Sequence, residues 1–137
     1  MKNKQYLIIF FLVLTNFIYA QQSENKKFTD NCIQEVYQDQ ADAMVFNHPS
    51  QRYNIYKDFL KSFSVEYHPE LATKKITSTD DLALNNEYNP NLKHDSTYNP
   101  DTFNPIKYVF PFITHTPKVF RVAQTDYIII ISPTTNR

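Results

Sequence analysis

The chain has 137 residues, 14 acidic and 14 basic side chains, and no glycine, whereas an average glycine usage of about 7% would give roughly ten. The lack of glycine excludes the GxGxxG dinucleotide turn, the GxxxxGK[ST] phosphate loop and the GxSxG nucleophile elbow, because each needs glycine where the backbone turns sharply or approaches a ligand. A single cysteine excludes an intrachain disulfide framework and a multi-cysteine zinc site, and the small, mixed charge disfavours a nucleic-acid partner.

Residues 1–20 have the pattern of a secretory signal peptide. Lys2 and Lys4 form a short basic start, an unbroken apolar block follows, and the segment ends at the small residue Ala20. The apolar block is well short of the roughly 20 residues that a membrane-spanning helix needs. We therefore predict cleavage after Ala20 and export to the periplasm, the cell envelope or the exterior of a Gram-negative-type bacterium. An uncleaved membrane anchor is the alternative.

The mature chain is predicted to be a disordered lead-in, residues 21–28, followed by one small domain, residues 29–137. Its first part, residues 29–61, is predicted to be helical. One helix has its apolar face at spacings of three and four, formed by Ile33, Val36, Tyr37, Gln40 and Met44. A second helix, with Ser50 as its cap, has a similar stripe, formed by Ile55, Tyr56, Phe59, Leu60 and Phe63.

The middle of the chain is predicted to be a short strand and a long loop region. Residues 62–68 alternate apolar and polar side chains, which is typical of a strand. Residues 70–105 are polar and contain three aromatic-Asn-Pro units, which begin at Tyr88, Tyr98 and Phe103. Asn-Pro favours turns, since proline fixes its own φ and the asparagine side chain can bond nearby backbone amides. Each preceding aromatic residue is predicted to anchor its turn on the core.

Residues 106–132 are predicted to form a three-stranded β-meander. The first strand would place Ile106, Tyr108, Phe110 and Phe112 on one face and Lys107, Val109, Pro111 and Ile113 on the other. The last strand is apolar on both faces and so needs cover on both sides. Because an exposed strand of this kind can pair with another chain, we predict association with an envelope protein or with itself through Tyr127, Ile129 and Ile131. Internal pairing with the strand at residues 63–67 is the alternative.

The second half of the chain contains a series of short motifs. They are Tyr88-Asn89-Pro90-Asn91-Leu92 with Asp95, then Phe103-Asn104-Pro105-Ile106-Lys107-Tyr108, then Phe120-Arg121-Val122 and the run from Thr125-Asp126-Tyr127 to Ile131. Over residues 76–132 this series resembles a group of short exported proteins of Bacteroidota-type bacteria with the pattern YNPxLxxD…FNPLKY…YRVDxTDYxIxI. That group tends to have Asp-Gly or Asp-Asn where this chain has Ala123-Gln124, which argues against a primed two-residue turn here. The resemblance implies an envelope or secreted location and no particular activity.

Few residues of this sequence form a pattern that carries chemistry. The four histidines of the mature chain, His48, His68, His94 and His115, are too far apart for a local metal motif. Three of them, His48, His68 and His115, lie at or near prolines and are predicted to be turn or rim residues. We predict no metal and no cofactor. The lone Cys32 is predicted to be a buried thiol, with an intermolecular bridge or a catalytic thiol as alternatives. Asp80-Asp81 suits a turn or a helix cap.

These patterns together predict an α+β fold in which two N-terminal helices pack on a small antiparallel sheet with a C-terminal three-stranded meander. The favoured function is a non-enzymatic structural or interaction protein of the cell envelope. The alternative is a small envelope enzyme or a polymer- or carbohydrate-binding module that uses the loop at residues 88–101. Its candidate binding residues are Tyr88, His94, Asp95 and Tyr98.

Overall fold

A computed structural model describes residue 21, residues 24–47 and residues 51–133. The predicted signal peptide, residues 1–20, and the predicted cap Ser50 lie outside these residues. The chain divides into two compact units, Met1–Asn31 and Cys32–Arg137. Helices and a three-stranded antiparallel sheet are both present, which confirms the α+β class.

The first helix, α1, covers residues 24–37 and therefore includes most of the segment that the sequence predicts to be disordered. Within it, the Thr29 hydroxyl donates a hydrogen bond of 2.9 Å to the Asn25 carbonyl one turn earlier. Residues such as Lys26 and Lys27 have good helix propensity, and their exposure is compatible with a solvated helical turn. Polarity without periodicity here indicates an exposed helix rather than a disordered lead-in.

Helix α1 ends where Gln38 adopts a left-handed backbone conformation, with φ 50°. A short 3-10 turn, Gln38–Gln40, and a π-helical turn, Asp42–Phe46, follow it. This break rotates the buried face, so Ala41 and Val45 are buried whereas Gln40, which the sequence predicts on the apolar face, is exposed.

The second helix, α2, covers Gln51–Ser62 and runs directly into the first strand, β1, which covers Phe63–Tyr67. Both elements agree with the predicted helix and the predicted strand. Two apolar clusters form the core. The first contains Cys32, Ile33, Val36, Tyr37, Ala41, Val45, Tyr56, Leu92 and Ile106. The second contains Phe59, Phe103, Tyr108, Phe110, Val122, Ile129 and Ile131.

The remaining strands are β2, Lys118–Arg121, and β3, Tyr127–Ile131. The sheet order is β1-β3-β2, and both pairings are antiparallel. The predicted meander is therefore wrong in its first strand, because residues 106–113 do not join the sheet and its third strand is β1. In this register, Ile129 lies opposite Val65 on one side and Phe120 on the other.

Residues 106–113 do not form a strand because their start is held in a turn. Pro105–Lys107 is a 3-10 turn, in which the Asn104 side chain accepts a hydrogen bond from the Ile106 N–H. Beyond it, only Tyr108 makes an isolated bridge, to Leu84. The predicted alternation still identifies buried side chains, since Ile106, Tyr108 and Phe110 are all buried.

The central strand β3 is covered on both faces, as its apolar sequence requires. Ile129 and Ile131 lie in the second cluster, whereas Ile128 shares the opposite face with its cross-strand partner Arg121. The Arg121 guanidinium donates to the Leu71 and Thr125 carbonyls, at 2.6 and 2.9 Å. These contacts hold the chain around Leu71 over this face and bury Arg121 without a carboxylate partner in either bond.

All three Asn-Pro units form the predicted turn. In each, the asparagine Oδ1 accepts from the backbone N–H two residues later, in the pairs Asn89–Asn91, Asn99–Asp101 and Asn104–Ile106 at 3.1, 2.9 and 2.9 Å. The preceding aromatic residues pack on the core as predicted: Phe103 is buried, and Tyr88 and Tyr98 lie half-buried against the first and second clusters.

Two of these asparagines also bind the C-terminal part of α1. The Asn89 Nδ2 donates to the Glu35 carbonyl at 2.7 Å, and the Asn104 Nδ2 donates to the Cys32 carbonyl and to a Glu35 carboxylate oxygen, both at 2.9 Å. Carbonyls in the last helical turn lack partners within the helix. Here Asn89 supplies one for Glu35, and the turns therefore fix the end of α1 to the rest of the core.

We expect Asn104→Ala to lower the free energy of unfolding by about 2–3 kcal/mol, since it removes three hydrogen bonds and leaves buried groups unpaired. The matched change Asn99→Ala removes only an exposed turn bond, and we expect it to cost less than about 1 kcal/mol. Urea unfolding with an unchanged m-value measures both. Equal losses for the two variants would contradict a special role for the buried asparagine.

Candidate functional site

The four residues predicted for the loop site have different packing environments. Tyr88 stacks on Tyr37, with ring centroids 5.3 Å apart and planes at 27°. Tyr98 packs against Tyr127 and Phe103, at 4.9 and 5.5 Å. These contacts place Tyr88 with the first cluster and Tyr98 with the second.

His94 and Asp95 are the two predicted residues that share a neighbour, the buried Tyr108. The Tyr108 hydroxyl donates to Asp95 Oδ2 at 2.7 Å and accepts from the Asp95 backbone N–H at 2.9 Å. The His94 ring lies 5.8 Å from the Tyr108 ring. Its Nε2 is 2.8 Å from the Leu82 carbonyl, and a carbonyl can only accept, so that nitrogen carries a hydrogen.

Lys107 completes this cluster, although the alternating sequence pattern predicts its side chain on the opposite face from Tyr108. Its ammonium forms an ion pair of 2.8 Å with Asp95 Oδ2. The lysine side chain is 7% exposed and the aspartate side chain 23%. A lysine within an apolar alternation is the one sequence signal that could have indicated a buried ion pair.

The Asp95–Lys107–Tyr108 cluster is arranged for structure rather than for acid–base chemistry. One carboxylate oxygen already accepts from both the ammonium and the phenol. Burial raises the pKa of Tyr108 well above its ordinary value, and the bond to the carboxylate acts in the same direction. The phenol therefore stays a neutral donor, and it ties the loop at Asp95 to the core.

Cys32 is a buried free thiol, as its position in the sequence predicts. Burial, with a smaller contribution from the nearby Glu35 charge, raises its pKa to about 12. Only the thiolate is a good nucleophile or metal ligand, so a thiol in this environment is unreactive at neutral pH.

Three tyrosines, Tyr37, Tyr56 and Tyr88, form a cluster within the first core region. The helical pattern predicts that Tyr37 and Tyr56 are packed, but it does not predict their hydrogen bond. The Tyr37 and Tyr56 hydroxyls are hydrogen-bonded at 2.6 Å, and the Arg52 guanidinium lies 5.9 Å from the centre of the Tyr37 ring. Burial, followed by the bond to Tyr37, raises the pKa of Tyr56. The cluster joins α1 to α2 and is closed by the Tyr88 ring.

His68 lies at the end of β1 between two glutamates, consistent with the turn position that its proline neighbour predicts. Its Nε2 is 3.0 Å from Glu66 Oε2, and its Nδ1 is 2.6 Å from Glu70 Oε1. The bond to Glu66 and then that to Glu70 raise the pKa of His68 above 6.5. The pKa of Glu70 is lowered by its own backbone N–H and then by His68.

In the described part of the chain, the outer edge of β1 is open. Ser62 and His68 bond the residues that flank β3, through the pairs Ser132 N–H to Ser62 C=O and His68 N–H to Asp126 C=O. Because strand residues alternate in direction, Val65 and Tyr67 point their N–H and C=O groups away from β3. Within residues 24–47 and 51–133, no backbone group pairs with these outward groups.

The outer edge of β2, in contrast, is partly covered. The outward Arg121 N–H donates to the Thr77 carbonyl at 2.9 Å, and Ser78 forms a parallel bridge with Arg121. Pro117 precedes the strand and Lys118 begins it, and both residue types discourage edge pairing. Of the two edges, β1 is therefore the one that offers unpaired backbone groups along its length.

This topology corrects the residues proposed for association. Both edges of β3 are paired, and Ile129 and Ile131 are fully buried, so neither presents a strand edge or a side-chain surface to a partner. Tyr127 is half-buried and contacts Tyr67, which is 60% exposed. Among the described residues, β1 therefore has the more open of the two outer edges of the sheet.

Comparison of the chain with protein-family models, with curated proteins and with solved structures found no match. In the described part of the chain, no helix is both long and apolar enough to cross a membrane. The same residues contain no group of three or more histidine, cysteine or acidic side chains placed to hold a metal ion.

We expect Asp95→Asn to destabilise the protein by about 3 kcal/mol, because it leaves the buried Lys107 ammonium without its counter-charge. Adding Lys107→Met should restore part of this loss, since the double variant no longer buries an unpaired charge. Urea unfolding of the two single variants and the double variant measures the coupling. Simple additivity of the two losses would contradict a buried ion pair.

We expect the NMR-detected pKa of His68 to lie above 6.5 and to fall in Glu66→Gln, with Asp101→Asn as a control at a distant exposed carboxylate. The stabilising effect of His68 is complete below pH 6.5 and is lost as the pH rises through its raised folded pKa. That of Glu70 is present above pH 4.5 and is lost as the pH falls through its lowered pKa. The joint contribution of His68 and Glu70 to stability is thus greatest between pH 4.5 and 6.5. An unchanged His68 titration in Glu66→Gln would contradict the bond between His68 and Glu66.

Proposed function

We propose that this chain is an exported, non-enzymatic interaction protein of the cell envelope that binds by adding a partner strand to the outer edge of β1. The observation that carries the proposal is the open edge, where Val65 and Tyr67 direct backbone donors and acceptors outward. Strand addition of this kind uses backbone hydrogen bonds for affinity and the alternating side chains for specificity.

The side chains along this edge suit a partner strand. Ser64 and Glu66 are exposed on one face, whereas Phe63, Val65 and Tyr67 lie on the face of the second cluster. An added strand would therefore extend the apolar core on one face and meet polar groups on the other. Each backbone hydrogen bond adds only about 0.5–1.5 kcal/mol net, so covering Tyr67 would supply much of the remaining affinity.

Export rests on the sequence of residues 1–20, whose basic start, apolar block and small final residue are typical of a signal peptide. The resemblance of residues 76–132 to exported Bacteroidota-type proteins agrees with an envelope location. An unprotected strand edge is a template for pairing with another chain, and proteins usually protect such an edge.

The alternative, a small enzyme or polymer-binding module at residues 88–101, has less support. Its candidate acid, Asp95, is already bound by Lys107 and Tyr108. Its two tyrosines, Tyr88 and Tyr98, stack on different core clusters instead of forming a shared platform. These contacts favour turn anchoring over ligand binding.

The test compares capture of envelope proteins by the mature chain and by two proline variants. Val65→Pro removes an outward N–H from β1, and Val119→Pro removes one from the same kind of position on β2, so the pair is matched in chemistry and in backbone cost. With each protein immobilised, an envelope extract of the source bacterium is passed over it and the bound proteins are quantified by mass spectrometry.

We expect Val65→Pro to reduce a specific set of bound proteins at least tenfold, and Val119→Pro to leave them unchanged. Circular dichroism measures whether both variants remain folded. If all three proteins capture the same set in the same amount, binding does not use the β1 edge and the proposal fails. If Val65→Pro unfolds, Tyr67→Lys replaces the 60% exposed ring at the same edge, and we expect it to reduce the same set of bound proteins.

A further inference from the structure

We propose that the occupant of the β1 edge is the β1 strand of a second copy of this chain, paired antiparallel about a two-fold axis that passes beside Val65. This inference rests on the proposed function and names its partner. It follows from the sequence of the edge strand, which is complementary to itself in one register.

In that register Val65 lies opposite Val65 of the second copy, and Phe63 lies opposite Tyr67 in both directions. The outward backbone groups of Val65 and Tyr67 then meet outward groups, as an antiparallel ladder requires. Aromatic and β-branched cross-strand pairs are among the more stabilising ones in sheets. Tyr67, which is 60% exposed in the single chain, gains an aromatic neighbour.

The polar face of the strand also agrees with this register. Ser64 lies opposite Glu66 of the second copy, so no two carboxylates face each other directly. Shifting the pairing by one step toward the strand's C-terminus would place Glu66 opposite Glu66, and like charges directly opposite are destabilising. Shifting it the other way would place Tyr67 opposite Lys61, which belongs to α2 and has no strand backbone to offer.

The charges near this edge are partly compensated. Glu66 is bound to His68, whose second ring nitrogen binds Glu70, and Asp126 lies opposite His68 in the pairing with β3. At the other end of the strand, Lys61 pairs with Asp58 at 3.5 Å. Because the two β1 strands are antiparallel, the acidic groups beyond Tyr67 of the two copies lie at opposite ends of the pair.

Because the axis is perpendicular to the sheet, both copies place Phe63, Val65 and Tyr67 on the same side. The result is a continuous sheet of order β2-β3-β1-β1-β3-β2, with the second apolar cluster of each copy on one face. The sheet then ends at the two β2 strands, whose outer edges are partly covered, at Arg121 by Thr77. The two copies use the same β1 edge, so the pairing leaves no β1 edge free for a third copy, as in any closed two-fold arrangement.

The test is disulfide trapping with the variants Ser64→Cys and Glu66→Cys. In the proposed register, residue 64 of one copy and residue 66 of the other form a non-hydrogen-bonded pair with Cα atoms about 4.5 Å apart, within disulfide reach. Two residues 64 are diagonal, about 7–8 Å apart, as are two residues 66. Cys32 stays in place because it is buried.

We expect an equimolar mixture of the two variants, under mild oxidation, to form the covalent heterodimer at least tenfold faster than either variant forms a homodimer. Lys118→Cys, exposed at the start of β2, measures the rate of chance collision. Analytical ultracentrifugation of the unmodified protein is expected to show a dimer that Val65→Pro dissociates and Val119→Pro retains.

Other outcomes decide against the inference in distinguishable ways. Fast homodimers of Ser64→Cys or of Glu66→Cys would mean a shifted register, and the stated pairing would be wrong. A monomer with cross-linking at the chance rate would reject the second copy as occupant. If Val65→Pro still abolishes capture of other envelope proteins in that case, the proposed function stands with a different partner; if it does not, both proposals fail.

Discussion

The buried side chain of Asn104 determines much of this architecture. It is 2% exposed, and its three hydrogen bonds hold the Ile106 N–H on one side and the Cys32 carbonyl and the Glu35 carboxylate of α1 on the other. The Ile106 N–H is therefore held in a turn, and the apolar segment that follows packs in the core with one isolated bridge, from Tyr108 to Leu84. The outer edge of β2, which this segment would pair with in a meander, is bridged by Ser78 instead. The third strand of the sheet is β1, which pairs with the other side of β3 and makes β3 central.

A chain without glycine must form its sharp turns by other means, and here the cost is visible at two residues. Gln38 and Ala123 both have positive φ, 50° and 45°, which costs a non-glycine residue about 1–2 kcal/mol. At Ala123 two hydrogen bonds offset that cost: its N–H donates to Thr79 Oγ1 and its carbonyl accepts from Ser78 Oγ. The same Ser78 caps the turn at Thr79–Asp81. The segment at residues 77–79, which covers the β2 edge at Arg121, therefore also stabilises the strained turn between β2 and β3.

Local patterns predicted local structure well, and long-range pairing poorly. The second helix, the strand at residues 63–67 and the three Asn-Pro turns depend on residues close in sequence, and all of them are present. The order of the sheet depends on pairings between strands far apart in sequence, such as β1 with β3, and the alternation of residues 106–113 is the same whether the segment pairs or only packs. For the candidate site, adjacency predicted that His94 and Asp95 lie together. It could not predict Lys107, because periodicity assigns a direction to a side chain and does not detect a buried counter-charge.

The contrast between the two sheet edges is the strongest physical reason to regard β1 as a binding surface. Edge strands are a hazard for aggregation, and proteins usually protect them with prolines, charges or covering segments. All three protections are present at β2: the proline Pro117, the charged Lys118 and the covering segment at Thr77. On β1 the one charged residue, Glu66, is bound by His68, so its repulsion of an approaching strand is reduced where it would matter most. A sheet that pairs on one side only is expected to protect one edge and to leave the other edge accessible, as β2 and β1 do here.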